Sequence, residues 1–382
     1  VDGNVEVDVD GETTTVGITR VHMEEDTGKS THLGESGRIH GAESTLLDFN
    51  RAGVPLVEVV SEPDIRSPEQ ARAYGVELQR IVRALGVSDA RLEEGSMRFD
   101  ANISVRPKGT EKLGTRTEVK NVNSLRSLQR TIAYEIERQI EILEAGGSIH
   151  QETRHWDEAK GMTRSGRTKE ESEDYRYFQD PDLLPLYIDA AWRERVAARR
   201  PELPSVKRKR YGELGADPKT AELLADAGDL ATLFEDAVGE GADARNVGIW
   251  LTGEVVRYLR SENVTVAETG LSSASLVELA AMVDDGDLSA TAAKDVLAAV
   301  LAGEGEPRRI AEERDLLQMS DVSAIESEVA AVLEEHPEAM EKITSGDSKP
   351  IGFLVGQVMR ATGGKADPRV VQDLIRRKAS GD

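Results

Sequence analysis

The chain has 382 residues, 71 of them acidic and 48 basic, for a net charge of −23, and it has no cysteine. That length fits two or three domains of about 100–200 residues each. The missing cysteines exclude a disulfide framework and a thiolate metal site within the chain. No apolar run reaches about 18 residues and no secretory pattern is present, so the expectation is a cytoplasmic protein with no membrane partner.

The acidic surplus is spread along the chain, which reads as a halophile-type surface and not as an acidic tail. The chain opens at Val1 without methionine and runs at once into "VDGNVEVDVDGET", a β-hairpin pattern. A native N-terminal segment is therefore expected to precede it. "TTTVGITRVHME" continues as β structure, with His22 and Glu24 two apart and hence on one face. The following "GKS" at 28–30 resembles a phosphate loop. That loop needs a second glycine five positions earlier, where Met23 stands, so the stretch is not a Walker motif.

"VPLVEVV" (54–60) is a short apolar strand with Glu58 inside it, sharing a face with Leu56 and Val60. A carboxylate there either faces solvent from an edge strand or needs a cation or donors to offset its desolvation. A helix follows from Ser67 as N-cap and Pro68 to Gly86, with Ala71, Tyr74, Leu78, Ile81, Val82 and Leu85 on one face.

Residues 96–106 alternate. Met97, Phe99, Ala101, Ile103 and Val105 form one face, and Arg98, Asp100, Asn102, Ser104 and Arg106 the other. The second face is either merely wet or a kit for holding phosphate and metal. The next strand, 115–121, sets Arg116, Glu118 and Lys120 on one face and Asn121 on the other. Hard oxygen donors beside Arg and Lys suit Mg-nucleotide chemistry. A long helix from about Leu125 to Leu143 carries the stripe Leu125, Leu128, Ile132, Ile136, Ile140.

"DYRYF" (174–178) clusters three aromatics in an aromatic-poor chain, as a core plug or as a platform for a base. After "RRPELPSVKRKR" (199–210) the chain turns helical. A further unit begins near Ser320, and two short helices meet across Gly363–Gly364 and Asp367–Pro368. Domain limits are expected at 1–195, 196–320 and 321–382.

The stretches "HMEEDTGKSTH", "DFNRAGVPLVEVVSEPDIRSPEQA", "LEEGSMRFDANISVRP", "TEVKNVNS", "QETRHWD" and "DYRYFQDPDLLPLYID" resemble the GatB family, the B subunits of tRNA-dependent amidotransferases. "GFLVGQVMRATGGKADP" resembles its YqeY-like tail. The resemblance covers nearly the whole chain.

It implies an α+β fold: an antiparallel-sheet cradle domain, then an all-helical domain, then a small helical tail that binds tRNA. It implies ATP-dependent phosphorylation of the side-chain carboxylate of misacylated Glu-tRNA(Gln) or Asp-tRNA(Asn), then amidation. The ammonia would come from a partner amidase (glutaminase) A subunit, and a small C subunit would brace the pair. The cofactors implied are ATP and Mg²⁺.

Glu24 and Glu58 match the family's Mg-binding carboxylates. Asp100 and Lys120 fall in matching motifs as further catalytic candidates, and Arg98, Asn102, Arg116, Glu118 and Asn121 as nucleotide-binding ones. The family's Glu-x-His metal motif would lie before Val1, so part of the metal site is expected to be missing. That leaves a non-catalytic tRNA-binding scaffold as the alternative. Phe99 stands where the family often has cysteine, and its apolar face assigns it to packing. Against the overall acidity, local basic groups remain for tRNA: Lys207 and Arg208, then Lys365, Arg369, Arg376 and Arg377.

Overall fold

The computed structural model describes residues 3–33, 43–168, 184–318, 322–345 and 348–380. It divides into two compact units, Val1–Leu203 and Pro204–Asp382. The aromatic cluster at 174–178 lies outside the described residues.

In the first unit, β1 (Gly3–Val9) and β2 (Glu12–Glu25) form an antiparallel hairpin. Its turn is Asp10–Gly11, both at positive φ (53° and 84°), the backbone that matches the twist of two-residue hairpins. β3 (Lys29–Leu33) pairs with β4 (Ser44–Asp48). The "GKS" stretch thus starts a strand and does not wrap an anion. A Cβ at Gly28 would lie 2.7 Å from the exposed Phe49 ring, which would have to shift to admit it.

β5 (Pro55–Ser61) joins the free side of β2, giving the order β1-β2-β5 and leaving β5 at the edge. α1 (Pro68–Ala84) starts as its sequence predicts, with Ser67 Oγ accepting from Gln70 N at 3.1 Å. Its Tyr74 and Leu78 bury against Val5, Val7 and Val16 of the sheet.

The second sheet runs β6-β7-β8-β9, from β6 (Phe99–Ile103), β7 (Thr117–Val122), β8 (Glu152–Asp157) and β9 (Met162–Thr168). Its pairings correct the purely antiparallel expectation, because β7 and β8 are parallel. The reason is α2 (Leu125–Glu144), which carries the chain back over the sheet between them, as a parallel pair requires. The last two strands lack an alternating apolar pattern, so the sequence does not announce them.

The predicted stripe of α2 holds in part, with Leu128 buried and Leu125, Ile132 and Ile136 packed against the core. The buried residues of the helix are Ser127, Leu128, Thr131, Glu135 and Gln139, while Ile140 is exposed. The helix can bury polar groups because the sheet supplies partners. Glu135 bonds Arg138, accepts from Thr163 Oγ1 at 3.1 Å, and lies 3.7 Å from Arg154 Nε. Gln139 donates to Ile103 O at 3.1 Å and accepts from Val105 N at 3.2 Å, tying the end of β6 to the helix. α1 and α2 approach closely at Gly75, where a Cβ would sit 2.6 Å from Leu125 Cδ2.

α3 (Ala190–Ala198) ends the first unit. In the second, every regular element among the described residues is helical. The run comprises α4 (Pro204–Glu213), α5 (Pro218–Ala225), α6 (Asp229–Gly239), α7 (Ala244–Trp250), α8 (Val256–Glu262), α9 (Ser273–Asp284), α10 (Ala290–Leu301) and α11 (Pro307–Glu313). A wide π turn, Leu251–Val255, joins α7 to α8. These helices enclose one core around Phe234, Leu251, Leu279 and Leu297.

A separate core around Val329, Leu354, Val358 and Val371 belongs to α12 (Val322–Glu335), α13 (Pro337–Thr344), α14 (Lys349–Ala361) and α15 (Pro368–Ser380). The α14–α15 connection follows its sequence signals, with Gly363 and Gly364 at positive φ. No helix among the described residues is long and apolar enough to cross a membrane.

Glu135→Ala removes the shared partner of Arg138, Thr163 and Arg154. It is expected to cost about 1–3 kcal/mol, since Arg154 keeps Glu152 at 2.7 Å but Arg138 is left with Glu152 only at 3.9 Å and buried Thr163 loses an acceptor. Urea unfolding of the two proteins checks this, and a loss within error of zero would show the network to be dispensable.

Candidate functional site

β2 and β5 together build the first cluster. Their register sets His22 opposite Glu58 and Glu24 opposite Leu56. A slip of one residue between Ile18 and Arg20 decides which face His22 and Glu24 share. His22 Nε2 then lies 3.0 Å from Glu24 Oε1 and 3.1 Å from Glu58 Oε2. One ligand atom from each of the three residues falls within 4.8 Å of the others.

The sequence leaves Glu58 either at an edge or in a desolvating interior. Its side chain is 49% exposed on the edge strand, so the edge is what the fold provides. The Glu24 carboxyl is held below its ordinary value, first by its hydrogen bond with His22 and then by that with Glu58. The sequence sets His22 on the face of Glu24 without marking it as a ligand. The two-residue spacing carries that signal.

The donor set can be tested against the expected cation. Two carboxylates and one imidazole converge on an open face. Hard divalent cations such as Mg²⁺ take one or two carboxylates and fill their other positions with water and phosphate oxygens. The imidazole is a donor more typical of transition metals, which widens the fit to Mn²⁺ without excluding Mg²⁺. The half-exposed setting leaves room for those outer ligands.

The second cluster sits on β6, β7 and β8. Phe99 pairs with Val122 and Ala101 with Val119, so Asp100 alone faces the two residues Lys120 and Asn121. Asn121 takes φ 66° in this bulge, and its Nδ2 donates to Trp156 O at 3.2 Å. Asn121 therefore shapes the strand: Val119 and Val122 both enter the core, so the bulge leaves Lys120 and Asn121 together outside it, against the expected alternation.

Lys120 Nζ lies 3.2 Å from Asp100 Oδ2 and 3.6 Å from Glu118 Oε1. Partial burial by itself pulls the Lys120 ammonium down, but Asp100 and Glu118 outweigh it and hold it above the ordinary value. Lys120 is thus a fixed cation and a poor general base. Glu118 accepts from Thr153 Oγ1 at 2.8 Å, across the parallel pair. Asn102, Arg116, Glu118, Glu152 and Thr153 line a small polar pit. Arg98 is exposed on the face of Asp100 and makes no ion pair with a described residue. Thr153 has no sequence signal beyond its motif.

Arg51, which sequence reasoning misses, binds Asp26 at 2.9 Å. It approaches the loop before β6, where a Cβ on Gly95 would lie 3.2 Å from its Nη1. Phe99 packs against the cores of both sheets, as its apolar position implies.

The basic residues of the helical unit divide by environment. Lys207 Nζ is 3.6 Å from Glu235, and Arg208 is half-buried. Lys365 pairs with Asp315. Arg369, Arg376 and Arg377 are exposed.

Residues 1–194 match the GatB/GatE catalytic domain and residues 232–378 the GatB domain that carries the Yqey label. The chain is 47% identical to the B subunit of the aspartyl/glutamyl-tRNA(Asn/Gln) amidotransferase of Moorella thermoacetica, over 98% of this chain and 78% of that protein. The protein of the same name from Halorhodospira halophila is also 47% identical, covering 99% and 78%. That from Crocosphaera subtropica is 47% identical, covering 96% and 74%.

The Glu24 carboxyl has an ordinary value of 4.5 and a folded value below it. What its contacts contribute is therefore present above the ordinary value and lost as pH falls through the folded one. In a carboxyl-carbon NMR titration, His22→Asn should raise the Glu24 midpoint toward 4.5. An unchanged midpoint would mean that His22 does not set it.

Proposed function

Because this chain belongs to the GatB family of amidotransferase B subunits, we propose that it activates the side-chain carboxylate of a misacylated tRNA with ATP and prepares it for amidation. The tRNA substrates named for its relatives are Asp-tRNA(Asn) and Glu-tRNA(Gln). The observation that supports the reading best is the convergence of His22, Glu24 and Glu58 on one point of an open sheet face.

The chemical problem is the leaving group. Ammonia cannot displace oxide from a carboxylate. In the proposed sequence a carboxylate oxygen attacks the γ-phosphorus of ATP, the bond to the β-phosphate oxygen breaks, and ADP departs. Ammonia then attacks the carbonyl carbon, inorganic phosphate leaves, and the nitrogen loses a proton to give the amide. We assign the ammonia to a partner glutaminase, and a small third protein would complete the assembly.

His22, Glu24 and Glu58 would hold Mg²⁺. Bound there, the ion would supply charge neutralisation for phosphate oxygens. Lys120 stays protonated between Asp100 and Glu118, so its role is to hold phosphate charge and not to take a proton. Arg98 and Arg116, with Asn102, offer donors from the same strand pair for phosphate or ribose oxygens. Asn121 keeps β7 in the bulge that presents Lys120 to Asp100. The exposed Arg369, Arg376 and Arg377 of α15 are assigned to tRNA phosphates, with Lys365, Lys207 and Arg208 as further contacts.

ATP hydrolysis by this chain with its amidase partner, Mg²⁺ and misacylated Glu-tRNA(Gln) tests the reading. Turnover should require the tRNA, and Glu58→Gln should lower it on the order of 10²-fold, as for loss of one charge-stabilising group. Turnover that survives the substitution would remove Glu58 from the machinery, and absence of any tRNA-dependent turnover would remove the kinase assignment.

A further inference from the structure

In a chain of net charge −23, residues 190–210 hold eight basic and only two acidic side chains. α3 carries the first part of this segment, and none of its residues is buried. A helix that covers no core among the described residues has some other reason to be ordered.

Its geometry narrows that reason. At 100° per residue, Trp192, Arg195, Val196 and Arg199 share one face, a turn apart. Trp192 is 42% exposed, and Tyr187, just before the helix, is 85% exposed. Arg195 and Arg199 have no carboxylate partner among the described residues. Like charges four apart on a helix repel, and the repulsion is relieved when an anion sits between them. On the helix itself this face offers one indole and one valine set among arginines, suited to a flat ring with phosphates on either side, while the exposed Leu184, Leu186 and Ile188 precede the helix.

We propose that the Trp192–Arg195–Arg199 face of α3 binds unpaired nucleotides of RNA, with a base stacked on Trp192 and backbone phosphates held by the two arginines. This rests on the reading of the chain as part of a tRNA-dependent enzyme, and it adds a contact for single-stranded RNA in the first unit, besides the basic residues of α4 and the tail. Aromatic faces accept any base, so the contact is sequence-tolerant and sensitive to salt.

The test uses the full chain and a short unstructured oligoribonucleotide. Trp156 and Trp250 are buried, so quenching of exposed tryptophan emission reports on Trp192. The wild type should bind with quenching. Arg195→Gln/Arg199→Gln should flatten the dependence of log K on log salt by about 1.4, the release expected for two phosphates of a single strand. Trp192→Leu should abolish the quenching and weaken binding about tenfold or more. All three positions are on the surface, so circular dichroism should be unchanged.

Affinity, quenching and salt slope that the variants leave intact would overturn the assignment of α3 while leaving the proposed function standing. Loss of the amidase partner from the variants, with RNA binding unchanged, would overturn it in favour of a protein interface. A wild-type chain that binds neither this RNA nor misacylated tRNA would overturn both.

Discussion

The pairing of β2 with β5 is the constraint on which the candidate site depends. Strand side chains alternate, so one residue of slip exchanges every side chain between faces. The irregularity between Ile18 and Arg20 makes that exchange once, in the middle of a fourteen-residue strand. Before it, Val16 is buried in the core with α1. After it, His22 stands opposite Glu58, with Glu24 beside it on the same face. A single strand thus serves the core in its first half and the site in its second.

The second sheet solves a different problem. It must hold Asp100, Glu118 and Lys120 in register on two consecutive strands and back them with a third, β8, from beyond α2. The long crossover through α2 brings β8 beside β7, and Thr153 reaches Glu118 across that pair. What keeps the crossover in place is polar. Glu135 and Gln139 lie fully buried under the sheet and are satisfied by Arg138, Thr163 and the β6 backbone. A buried charge is costly unless every partner is present, so such a network admits few alternative registers.

Much of this is legible residue by residue. Ser67, Pro68 and Gly86 bound α1 because capping chemistry is local. The alternation from Phe99 to Ile103 fixes which side of β6 is apolar, and Arg98, Asp100 and Asn102 are indeed exposed. The absence of a second glycine excludes a phosphate loop at Gly28, and a strand follows there. The failures come where tertiary partners override local pattern. The isoleucine stripe of α2 reads as its buried face, yet Glu135 and Gln139 are more buried because partners await them. Nothing in "QETRHWD" announces a strand parallel to β7, since parallel pairing is a property of the crossover and not of the strand. His22 does not stand out as a ligand because its third partner, Glu58, is thirty-six residues away in sequence.

The π turn at Leu251–Val255 has a bearing on how chain length can vary. It closes its hydrogen bonds over five residues where the flanking turns use four, so it holds one residue more than an α-helix of the same span. Leu251 and Val255 are both fully buried, which keeps this extra residue inside a packed helix instead of in a loop. Removing a single residue between Trp250 and Val256 would let α7 and α8 join as one regular helix with α8 kept in phase, whereas the same deletion in a regular turn would rotate everything after it by about 100° about the axis. The bulge is therefore the place in this run where the chain can lose one residue and keep both its helical hydrogen bonds and the packing of α8.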